Sequence, residues 1–402
     1  MNKDPLSGKK ILLGVTGCIA AYKSCLIVRE LIKRGADIKV VMTPSATEFI
    51  SPLTLATLSQ NEVIVKTFPP NQKDGTKLST WHIDYALWAD MMLIAPATIN
   101  TIAKISYGFA DNALTTLVTA LRCPLVIAPA ADVDMYNNPI NKENIQKLEK
   151  LGHYLIYPES GVLASGLTGE GRLADVSKII DSVEIFLSGY KKDLVGQKIL
   201  VSAGPTYEDI DPVRFIGNRS SGKMGYAIAK SAFLRGADMT LISGPSAQNI
   251  YPEIKTIKVR SALEMEKAVK KEVEKNHLLI MTAAVSDFRP LKTASNKIKK
   301  DKNAVELKLE MNPDILSSIK PGKTKIVGFA LETQNELVNA KKKLKEKKLD
   351  MIVLNSPDKE SGFEVDTNKV TIIKQDGKQI KLPLLSKFQV ANRILSEVQS
   401  IL

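Results

Sequence analysis

The sequence predicts an α/β protein made of two doubly wound domains, each with a largely parallel sheet between layers of helices. Short apolar runs alternate with segments whose apolar residues recur at helical spacing, which is the pattern of such a sheet. The 402 residues suffice for two domains of about 200 residues each. The pattern "KILLGVTG" at residue 10 also returns as "KILVSAGP" at residue 198, so each half begins with a strand and a glycine-bearing loop.

In the first half, four short apolar runs predict buried strands. A helix follows the first of them, because apolar residues recur through "AYKSCLIVRELIKRG" and Gly35 provides a stop signal. Residues 68–77, which contain proline and glycine, predict a turn. The predicted strands are Ile11–Leu13, Ile38–Met42, Met91–Ala95 and Leu125–Ala128.

A polar segment with two glycines, residues 188–197, predicts the boundary between a domain at 1–190 and a domain at 191–402. The alternation then restarts, and a helix is predicted over Gly225–Leu234 after a second glycine-bearing loop. The strands predicted for this half are Ile199–Ser202, Met239–Ser243, Leu278–Thr282, Lys325–Phe329 and Met351–Leu354.

The composition excludes several classes of protein. The three cysteines are too few and too scattered for a disulfide framework or a zinc site, and no apolar run approaches the ~20 residues of a membrane helix. The N-terminus lacks a signal-peptide core, so the predicted location is the cytoplasm. The net charge of +13 belongs entirely to residues 191–402. Small phosphorylated ligands are favoured there over nucleic acid, because aromatic residues make up only 5% of the chain.

Polar loops follow the predicted strands of the first half. Because the carboxyl ends of parallel strands meet at one crevice, residues 14–20, 42–47, 95–101 and 128–139 are expected to come together there. They are rich in Thr, Ser, Asn and Pro, and their hydroxyls and free backbone N–H groups suit a phosphate. Helix capping by the same residue types is an equal alternative. His82, just before a helical pattern, is either a structural histidine or part of this crevice.

Three stretches of the first half, "GVTGCIAAYKS", "HIDYALWADMMLIAPATINTIAK" and "APAADVDMY", resemble the flavin-dependent cysteine decarboxylase family. From about residue 9 onward, the whole chain resembles the bacterial family of bifunctional phosphopantothenoylcysteine decarboxylases and phosphopantothenate–cysteine ligases. The resemblance implies a flavodoxin-like domain that binds flavin mononucleotide (FMN), with His82 as the base or positioning group, and a Rossmann-like ligase domain. By the same resemblance, the residues around the flavin are Gly17, Ile19, Ser45, Thr47, Thr98, Asn100 and Thr101.

The resemblance also implies the chemistry of the first site. In that family, flavin oxidises the cysteine thiol to a thioaldehyde that serves as an electron sink, carbon dioxide leaves, and reduced flavin with an acid restores the thiol. Two segments depart from the family pattern, one of them at both Ala131, in place of a methionine, and Asp132. Asp132, expected with Met135 to contact the substrate, replaces an asparagine that faces the substrate carboxylate, so it must be protonated, turned away or bridged. Ser165 replaces the cysteine that donates the final proton, although a hydroxyl is a far poorer donor.

In the second half, the stretch "GNRSSGKM", residues 217–224, nearly matches the phosphate-binding loop G-x-x-x-x-G-K-[ST]. Met224 lacks the magnesium-binding hydroxyl and no clear strand is predicted before Gly217, so we reject that motif. The Ser220–Gly222 turn before a helix still suits an anion. Further on, small residues and Asp287 follow a predicted strand and precede a basic run, which favours a nucleotide or magnesium site over a solvated loop.

The second half resembles the ligase half of the same family. This implies that cytidine triphosphate (CTP) activates 4′-phosphopantothenate as an acyl-cytidylate, before L-cysteine forms the amide. By the resemblance, Asn218 contacts the acyl-cytidylate, Arg214 assists the cysteine step and Lys297 stabilises the triphosphate, while Asp287 is the expected ligand of Mg2+. The residues expected around the substrates are Ala283, Asp287, Lys297, Pro313, Asp314, Ile315, Leu316, Phe329, Lys343 and Lys347.

The resemblance further implies a homo-oligomer, in which flavin domains form trimers that assemble into dodecamers and ligase domains form dimers. No nucleic-acid or membrane partner is expected. Two alternatives remain open. One is a ligase whose flavin domain only binds flavin or supports oligomerisation, and the other is a nucleic-acid-binding protein that uses the basic second half.

Overall fold

The computed structural model of the chain describes residues 4–68, 80–299, 306–319, 322–331, 335–355 and 365–402. Between Gly189 and Tyr190 the chain divides into two compact units, the first unit and the second unit. Most of the turn predicted over 68–77 lies outside the described residues. Among the described helices, none combines the length and the apolar composition that crossing a bilayer requires.

The first unit contains a parallel sheet with the strands β1 (Lys10–Val15), β2 (Asp37–Met42), β3 (Val63–Ile64), β4 (Met91–Ala97), β5 (Leu125–Pro129) and β6 (Tyr154–Leu155). They pair in the order β3-β2-β1-β4-β5-β6, with Leu13 opposite Val40 on one side and Leu93 on the other. The order reverses between β1 and β4, which is the switch point where doubly wound sheets bind ligands. The four predicted strands lie within β1, β2, β4 and β5, and the doubly wound class is confirmed.

The helices of the first unit are α1 (Lys23–Lys33), α2 (Pro52–Ser59), α3 (Trp81–Trp88), α4 (Ile99–Ser106), α5 (Ala113–Ala120), α6 (Val133–Asn137), α7 (Pro139–Lys150) and α8 (Val176–Leu187), with 3-10 turns at Ile19–Tyr22 and Pro44–Glu48. Leu13 and Leu93 pack on one face with α1, α2 and α8. Leu12 and Met92 pack on the other face with α3, α4, α5 and α7. This division follows from the two-residue period of a strand. Outside the sheet, β7 (Glu159–Val162) and β8 (Thr168–Arg172) form an antiparallel hairpin.

The strands of the second unit are β9 (Lys198–Ala203), β10 (Tyr207–Asp209), β11 (Phe215–Gly217), β12 (Asp238–Ser243), β13 (Lys255–Lys258), β14 (Leu278–Met281), β15 (Phe288–Pro290), β16 (Leu309–Met311), β17 (Lys325–Leu331), β18 (Met351–Asn355), β19 (Thr367–Asn368), β20 (Val370–Lys374), β21 (Gln379–Lys381) and β22 (Leu385–Ser386). The main sheet has the order β13-β12-β9-β14-β17-β18-β20-β21, parallel as far as β18 and antiparallel beyond it. Its parallel part repeats the strand order of the first unit, so its switch point lies between β9 and β14.

One feature of the second unit corrects a sequence-based expectation. The strand β11 leads directly into Gly217, so the prediction that no strand precedes this glycine was wrong. Three residues are too few to show a strand pattern in the sequence. Because β11 pairs antiparallel with β10 outside the main sheet, it is still not the buried parallel strand that a phosphate-binding loop follows. The helices are α9 (Lys223–Leu234), α10 (Ala262–Glu272), α11 (Ile315–Ser318), α12 (Glu336–Glu346) and α13 (Lys387–Val398), with a 3-10 turn at Val273–Lys275.

Candidate active sites

The first candidate site lies where β1, β2 and β4 end. Thr16 is buried directly after β1, and its Oγ1 donates a hydrogen bond to the carbonyl oxygen of Pro96 at 2.7 Å. The same oxygen accepts the N–H of Thr98 at 2.9 Å. One hydroxyl therefore joins the loops after β1 and β4 across the switch point, and it fixes the shape of the crevice.

The loops after β1 and β2 approach each other so closely at Gly17 that no side chain fits there. A Cβ on Gly17 would lie 2.5 Å from Ser45 Oγ and 2.7 Å from the carbonyl carbon of Ser45. Thr43 Oγ1 lies 3.2 Å from Ser45 Oγ, and Thr47 Oγ1 donates to the carbonyl oxygen of Pro44 at 2.6 Å. Backbone N–H groups beside small hydroxyl side chains are a suitable donor set for a phosphate, so this part of the crevice fits the phosphate of FMN.

Thr98 begins α4 as its N-cap. Its Oγ1 accepts the N–H of Thr101 at 3.4 Å and donates to Thr101 Oγ1 at 3.1 Å. Thr101 is buried, whereas Asn100 and Ile19 are exposed. Thr98 and Thr101 thus take part in capping α4, which the sequence analysis gave as the alternative to flavin binding. The side chains of Asn100 and Ile19 are accessible to a ligand at the ends of β1 and β4.

His82 is the second residue of α3. A helix that connects two parallel strands runs antiparallel to them, so the first turn of α3 lies at the edge where the strands end. The ring of His82 is half-buried and meets Trp81 edge to face, with ring centroids 5.7 Å apart. Among the described residues, none forms a hydrogen bond with this ring. The histidine is therefore at the predicted edge, with its nitrogens available to a ligand.

The hairpin of β7 and β8 is attached to the loop after β5. The N–H of Ala131 donates to the carbonyl oxygen of Gly171 at 2.9 Å. A Cβ on Gly169 would lie 2.5 Å from Val133 Cγ2, so only glycine allows this close packing against the start of α6. These contacts hold the hairpin over the same edge of the sheet as the crevice.

The tip of this hairpin carries Ser165, whose Oγ donates a hydrogen bond to Asp132 Oδ2 and accepts the N–H of Leu167 at 3.3 Å. The carboxylate of Asp132 is therefore hydrogen-bonded to the tip of the hairpin. Met135, on the following helix α6, is 53% exposed and accessible. The two residues that depart from the family pattern form one contact, and sequence reasoning treats them only separately.

The second candidate site is a cavity of about 740 Å³ in the second unit. Its wall combines the turn at 220–222, the start of α9, the segments that follow β14 and β16, and the end of β17. This size is typical of a site for a small molecule. The predicted residues that line it are Asn218, Ala283, Asp287, Pro313, Asp314, Ile315, Leu316, Phe329, Lys343 and Lys347.

Polar contacts hold the wall of this cavity together. Asn218 Nδ2 donates to the carbonyl oxygen of Val285 at 2.9 Å, which joins the loop before α9 to the segment after β14. Lys347 Nζ lies 3.1 Å from Asp314 Oδ2. Burial raises the pKa of Asp314, but hydrogen bonds from Lys347 and Ser317 outweigh that effect, and the pKa is held below its usual value.

Arg214 and Lys297 are not among the described residues that line the cavity. The guanidinium of Arg214 contacts Asp211 Oδ2 through Nε at 2.9 Å and Nη2 at 2.5 Å, and Nη2 also donates to the carbonyl oxygen of Ile298 at 2.9 Å. Arg214 and the surrounding backbone N–H groups hold the pKa of the buried Asp211 far below its usual range. Lys297 is exposed directly before Ile298. The structure thus brings these two predicted residues close to each other, but not into the cavity wall.

Asp287, the predicted magnesium ligand, is an exposed side chain in the cavity wall. Within the described ranges, no group of three or more His, Cys, Asp or Glu side chains is placed to hold a metal ion. Magnesium at Asp287 would therefore need substrate phosphate oxygens and water as further ligands, which is its usual arrangement in nucleotide sites.

Further polar residues of the wall are not predicted from the sequence, among them Lys223, Asn355, Asn368 and Lys387. Asn355 ends β18, so the rule that ligands bind at strand ends would have found it. Asn368 and Lys387 come from β19 and α13, and only tertiary packing brings these elements to the cavity.

Both halves of the chain match known protein families. Residues 1–188 match the family model described as Flavoprotein, and residues 194–402 match the DNA/pantothenate metabolism flavoprotein C-terminal domain. The chain is 42% identical over 401 residues to the coenzyme A biosynthesis bifunctional protein CoaBC of Bacillus subtilis (strain 168), a match that covers 98% of each chain. The chain belongs to the CoaBC family. The family resemblance noted in the sequence is thereby confirmed.

Two further matches are a relative whose name gives a different activity and a solved structure of one domain of the family. The chain is 45% identical over 360 residues to a cysteine/cysteine sulfinic acid decarboxylase of an unknown prokaryotic organism, covering 88% of this chain and 99% of that protein. A crystal structure of the C-terminal domain of CoaBC is 42% identical, with a TM-score of 0.45, and covers 52% of this chain and 96% of that chain.

Proposed function

We propose that this chain catalyses two successive steps of coenzyme A biosynthesis. The second unit ligates L-cysteine to 4′-phosphopantothenate with CTP, and the first unit decarboxylates the cysteine moiety of the product with FMN to give 4′-phosphopantetheine. The observation that carries the proposal is the cavity of the second unit, whose wall gathers residues expected around the substrates from segments far apart in the sequence. Membership of the bifunctional family over nearly the full chain supports both steps.

In the first unit, the backbone around Gly17 together with Ser45 and Thr47 would hold the phosphate of FMN. When bound, FMN supplies the reversible oxidation of the cysteine moiety that makes loss of carbon dioxide feasible. His82, at the same edge of the sheet, is proposed to accept the proton of the substrate thiol. Asp132, which contacts the hairpin tip, and Met135 on α6 are proposed to contact the substrate.

In the second unit, Lys343 and Lys347 are proposed to offset the negative charge of the nucleotide, and Asp287 to share Mg2+ with its phosphates. Asn218, which is held by Val285, is proposed to orient the acyl-cytidylate. Arg214 is proposed to assist the attack of cysteine, and Lys297 is proposed to stabilise the triphosphate of CTP. Because they lie outside the cavity wall, their roles require substrate to extend towards the segment at Ile298.

Several finer predictions belong to this proposal. Residues 1–190 would be the decarboxylase domain and residues 191–402 the ligase domain. The trimer-based homo-oligomer follows only from the family resemblance, and the cytoplasmic location follows only from the sequence of the N-terminus, so both stay predictions.

The proposal is tested by incubating the purified protein with 4′-phosphopantothenate, L-cysteine and CTP, and by following pyrophosphate and carbon dioxide separately. Both products are expected, and omission of CTP should abolish both. Pyrophosphate without carbon dioxide would show a ligase whose first unit is not a decarboxylase. Carbon dioxide from free L-cysteine without CTP, and no pyrophosphate under any condition, would replace the proposal with direct decarboxylation of cysteine.

A further inference from the structure

Asp132 follows β5 at the edge of the sheet that carries the first candidate site. The N–H of Ala130, two residues earlier, donates to the carbonyl oxygen of Ala97 at 2.9 Å. Ala97 ends β4, and the next N–H along the chain, that of Thr98, donates to the hydroxyl of Thr16 after β1. Hydrogen bonds therefore tie the loop that carries Asp132 to the two strand ends of the switch point.

The carboxylate of Asp132 does not serve the helix that it begins. Asp132 is the N-cap of α6, where an aspartate normally accepts a backbone N–H of the first turn, but its side chain forms no such bond. Its Oδ2 instead accepts the hydrogen bond of Ser165 at the hairpin tip. Among the described residues, none forms a hydrogen bond with Oδ1. Asp132 is partly exposed, so this oxygen is available to a ligand.

The surroundings of Asp132 do not supply a compensating cation. Within the described ranges, no lysine, arginine or histidine forms an ion pair with it. The charged side chains on the elements packed against it, α6 and the hairpin of β7 and β8, are Asp134, Glu159, Glu170 and Arg172. The arginine is already paired with Asp175, at 3.0 Å. The environment of Asp132 is therefore predominantly negative.

The substrate proposed for the first unit brings a second carboxylate to this place. Two carboxylates in contact, with no cation between them, do not both stay ionised but share one proton. Oδ1 of Asp132 can carry this proton while Oδ2 keeps the hydrogen bond from Ser165. Loss of carbon dioxide then removes one partner of the pair, so the proton is released from sharing at the step in which the neighbouring carbon needs one.

We propose that Asp132 shares a proton with the substrate carboxylate and, once carbon dioxide has left, donates it to the carbon that bore this carboxylate. Ser165 is then a positioning residue, because it holds the carboxyl group of Asp132 at the hairpin tip. This inference rests on the proposed function of the first unit, since it names the proton donor of that reaction.

The step balances in atoms and electrons. When the bond to the carboxylate breaks, its electron pair stays in the substrate as an enethiolate, and the proton from Asp132 forms the new C–H bond at the same carbon. The hydride that was passed to FMN returns to the sulfur-bearing carbon, and the proton that His82 accepted returns to the sulfur. The net reaction consumes one proton, which Asp132 takes from solvent as substrate binds, and it needs no external oxidant or reductant.

Binding without turnover tests the shared proton. The full-length protein with FMN bound is titrated by calorimetry with phosphopantothenoylserine, in which a hydroxyl replaces the thiol, in two buffers whose ionisation enthalpies differ. Binding near neutral pH should take up about one proton per site. The serinamide analogue, which lacks the carboxylate, should bind without proton uptake, and Asp132→Asn should bind both ligands without it. Absence of proton uptake by the unmodified protein would overturn the inference.

Turnover in the absence of oxygen tests the donor. With phosphopantothenoylcysteine, Asp132→Asn should release carbon dioxide about once per FMN and then stay colourless, because the enethiolate is protonated too slowly for the hydride to return. Formation of 4′-phosphopantetheine should fall by about 100-fold or more, and the oxidised enethiol should accumulate. The unmodified protein should regain its yellow colour after each turnover.

Two further variants separate a missing acid from a damaged fold. Asp134→Asn removes an exposed carboxylate of the same helix, and it should change neither proton uptake nor product formation. Ser165→Cys introduces a thiol, which is a much stronger acid than a hydroxyl, beside residue 132. Added to Asp132→Asn, it should raise formation of 4′-phosphopantetheine by about tenfold or more. Such a rescue would show that Asp132→Asn lacks an acid and is correctly folded.

The inference and the proposed function fail in different ways. If Asp132→Asn forms 4′-phosphopantetheine as fast as the unmodified protein, the decarboxylase function stands and the inference is overturned. If the unmodified protein takes up a proton with the serine analogue but releases no carbon dioxide from phosphopantothenoylcysteine, the carboxyl pair stands and the proposed decarboxylase function fails.

Discussion

The chemistry of a single residue in this protein depends on its contacts, as Asp132 and Ser165 show. A hydroxyl that donates to a carboxylate compensates part of its charge, so at the proposed site this contact would reduce the repulsion between Asp132 and a substrate carboxylate. Both departures from the family pattern can be recognised in the sequence. A bridged carboxylate is also one of the three states that the sequence analysis expects for Asp132. It does not reveal Ser165 as the partner, because the hairpin of β7 and β8 brings the two together across about 30 residues of chain.

Ser165→Ala is expected to retain most carbon dioxide release. A hydroxyl near its ordinary pKa is a slow acid at pH 7, so kcat should change by less than about tenfold. Loss of the bridge exposes the substrate to the full charge of Asp132, and the KM for phosphopantothenoylcysteine should therefore rise. Thr168→Ala on the same hairpin is the matched control and should leave both constants unchanged. Accumulation of an oxidised enethiol product in Ser165→Ala would show instead that Ser165 is the final proton donor.

His82→Asn is expected to reduce carbon dioxide release by about 100-fold or more, which is the usual range for loss of a general base or acid. Pyrophosphate release should be unchanged, because His82 belongs to the first unit. The matched control is His153→Asn, since His153 precedes β6 at the opposite edge of the same sheet. Equal loss of both products in His82→Asn would assign a structural role to this residue.

At the scale of elements, features encoded by neighbouring residues could be predicted, and features that need distant partners could not. Most strands of both parallel sheets appear as apolar runs, and α1 ends near Gly35 as its stop signal predicts. The pairs β10–β11, β15–β16 and β19–β22 have two or three residues per strand, too few for a periodic pattern. The consequence for the site is direct, because β19 and α13 supply Asn368 and Lys387, two of the cavity residues that sequence reasoning missed.

The turn between β10 and β11 gives a prediction about pH and stability. Asp211 Oδ1 accepts the N–H groups of Val213 and Arg214 at 2.8 and 2.9 Å, in addition to the contacts of Oδ2 with the Arg214 side chain. The folded pKa of Asp211 is below its unfolded value, so the stabilisation is fully present above about pH 4 and is lost as the pH falls through the folded pKa. Asp211→Asn should therefore destabilise the second unit at pH 7, and its difference from the unmodified protein should shrink below pH 4.

Urea unfolding of the full chain can separate the two units. Both tryptophans, Trp81 and Trp88, lie in the first unit, so tryptophan fluorescence follows that unit and far-ultraviolet circular dichroism follows both. Asp211→Asn should lower the urea midpoint of the second unit, which circular dichroism detects and tryptophan fluorescence does not. The midpoint of the first unit, which fluorescence reports, should stay unchanged. Asp238→Asn, at an exposed position in the same unit, is the control. A difference between Asp211→Asn and the unmodified protein that stays constant from pH 7 to pH 3 would contradict this account.

For the whole molecule, the distribution of charge and the repeated topology agree with two separate chemistries in one chain. Residues 191–402 carry the whole net charge of +13, and the second unit contains the cavity with Lys223, Lys343, Lys347 and Lys387 in its wall. The strand order of the parallel sheets is the same in both units, with a candidate site at each switch point. Composition, strand pattern and motifs were enough to predict two α/β units with a ligand site in each. The oligomeric state depends on surfaces formed by distant residues, and no local sequence pattern identifies such surfaces.

The two units are expected to work as separate proteins. Each contains its own sheet and its own hydrophobic clusters, so residues 1–189 and residues 190–402 should fold independently when expressed alone. The first fragment should purify yellow with FMN and release carbon dioxide from supplied phosphopantothenoylcysteine, and the second should release pyrophosphate from CTP. Each rate should lie within about threefold of that of the full chain, because independent sites contribute additively. Mixing the fragments should restore conversion of 4′-phosphopantothenate to 4′-phosphopantetheine, with a lag while the intermediate builds up in solution. A soluble, correctly folded fragment that is inactive alone but regains activity on mixing would show that one unit completes the site of the other, and the assignment of one reaction to each unit would then be wrong.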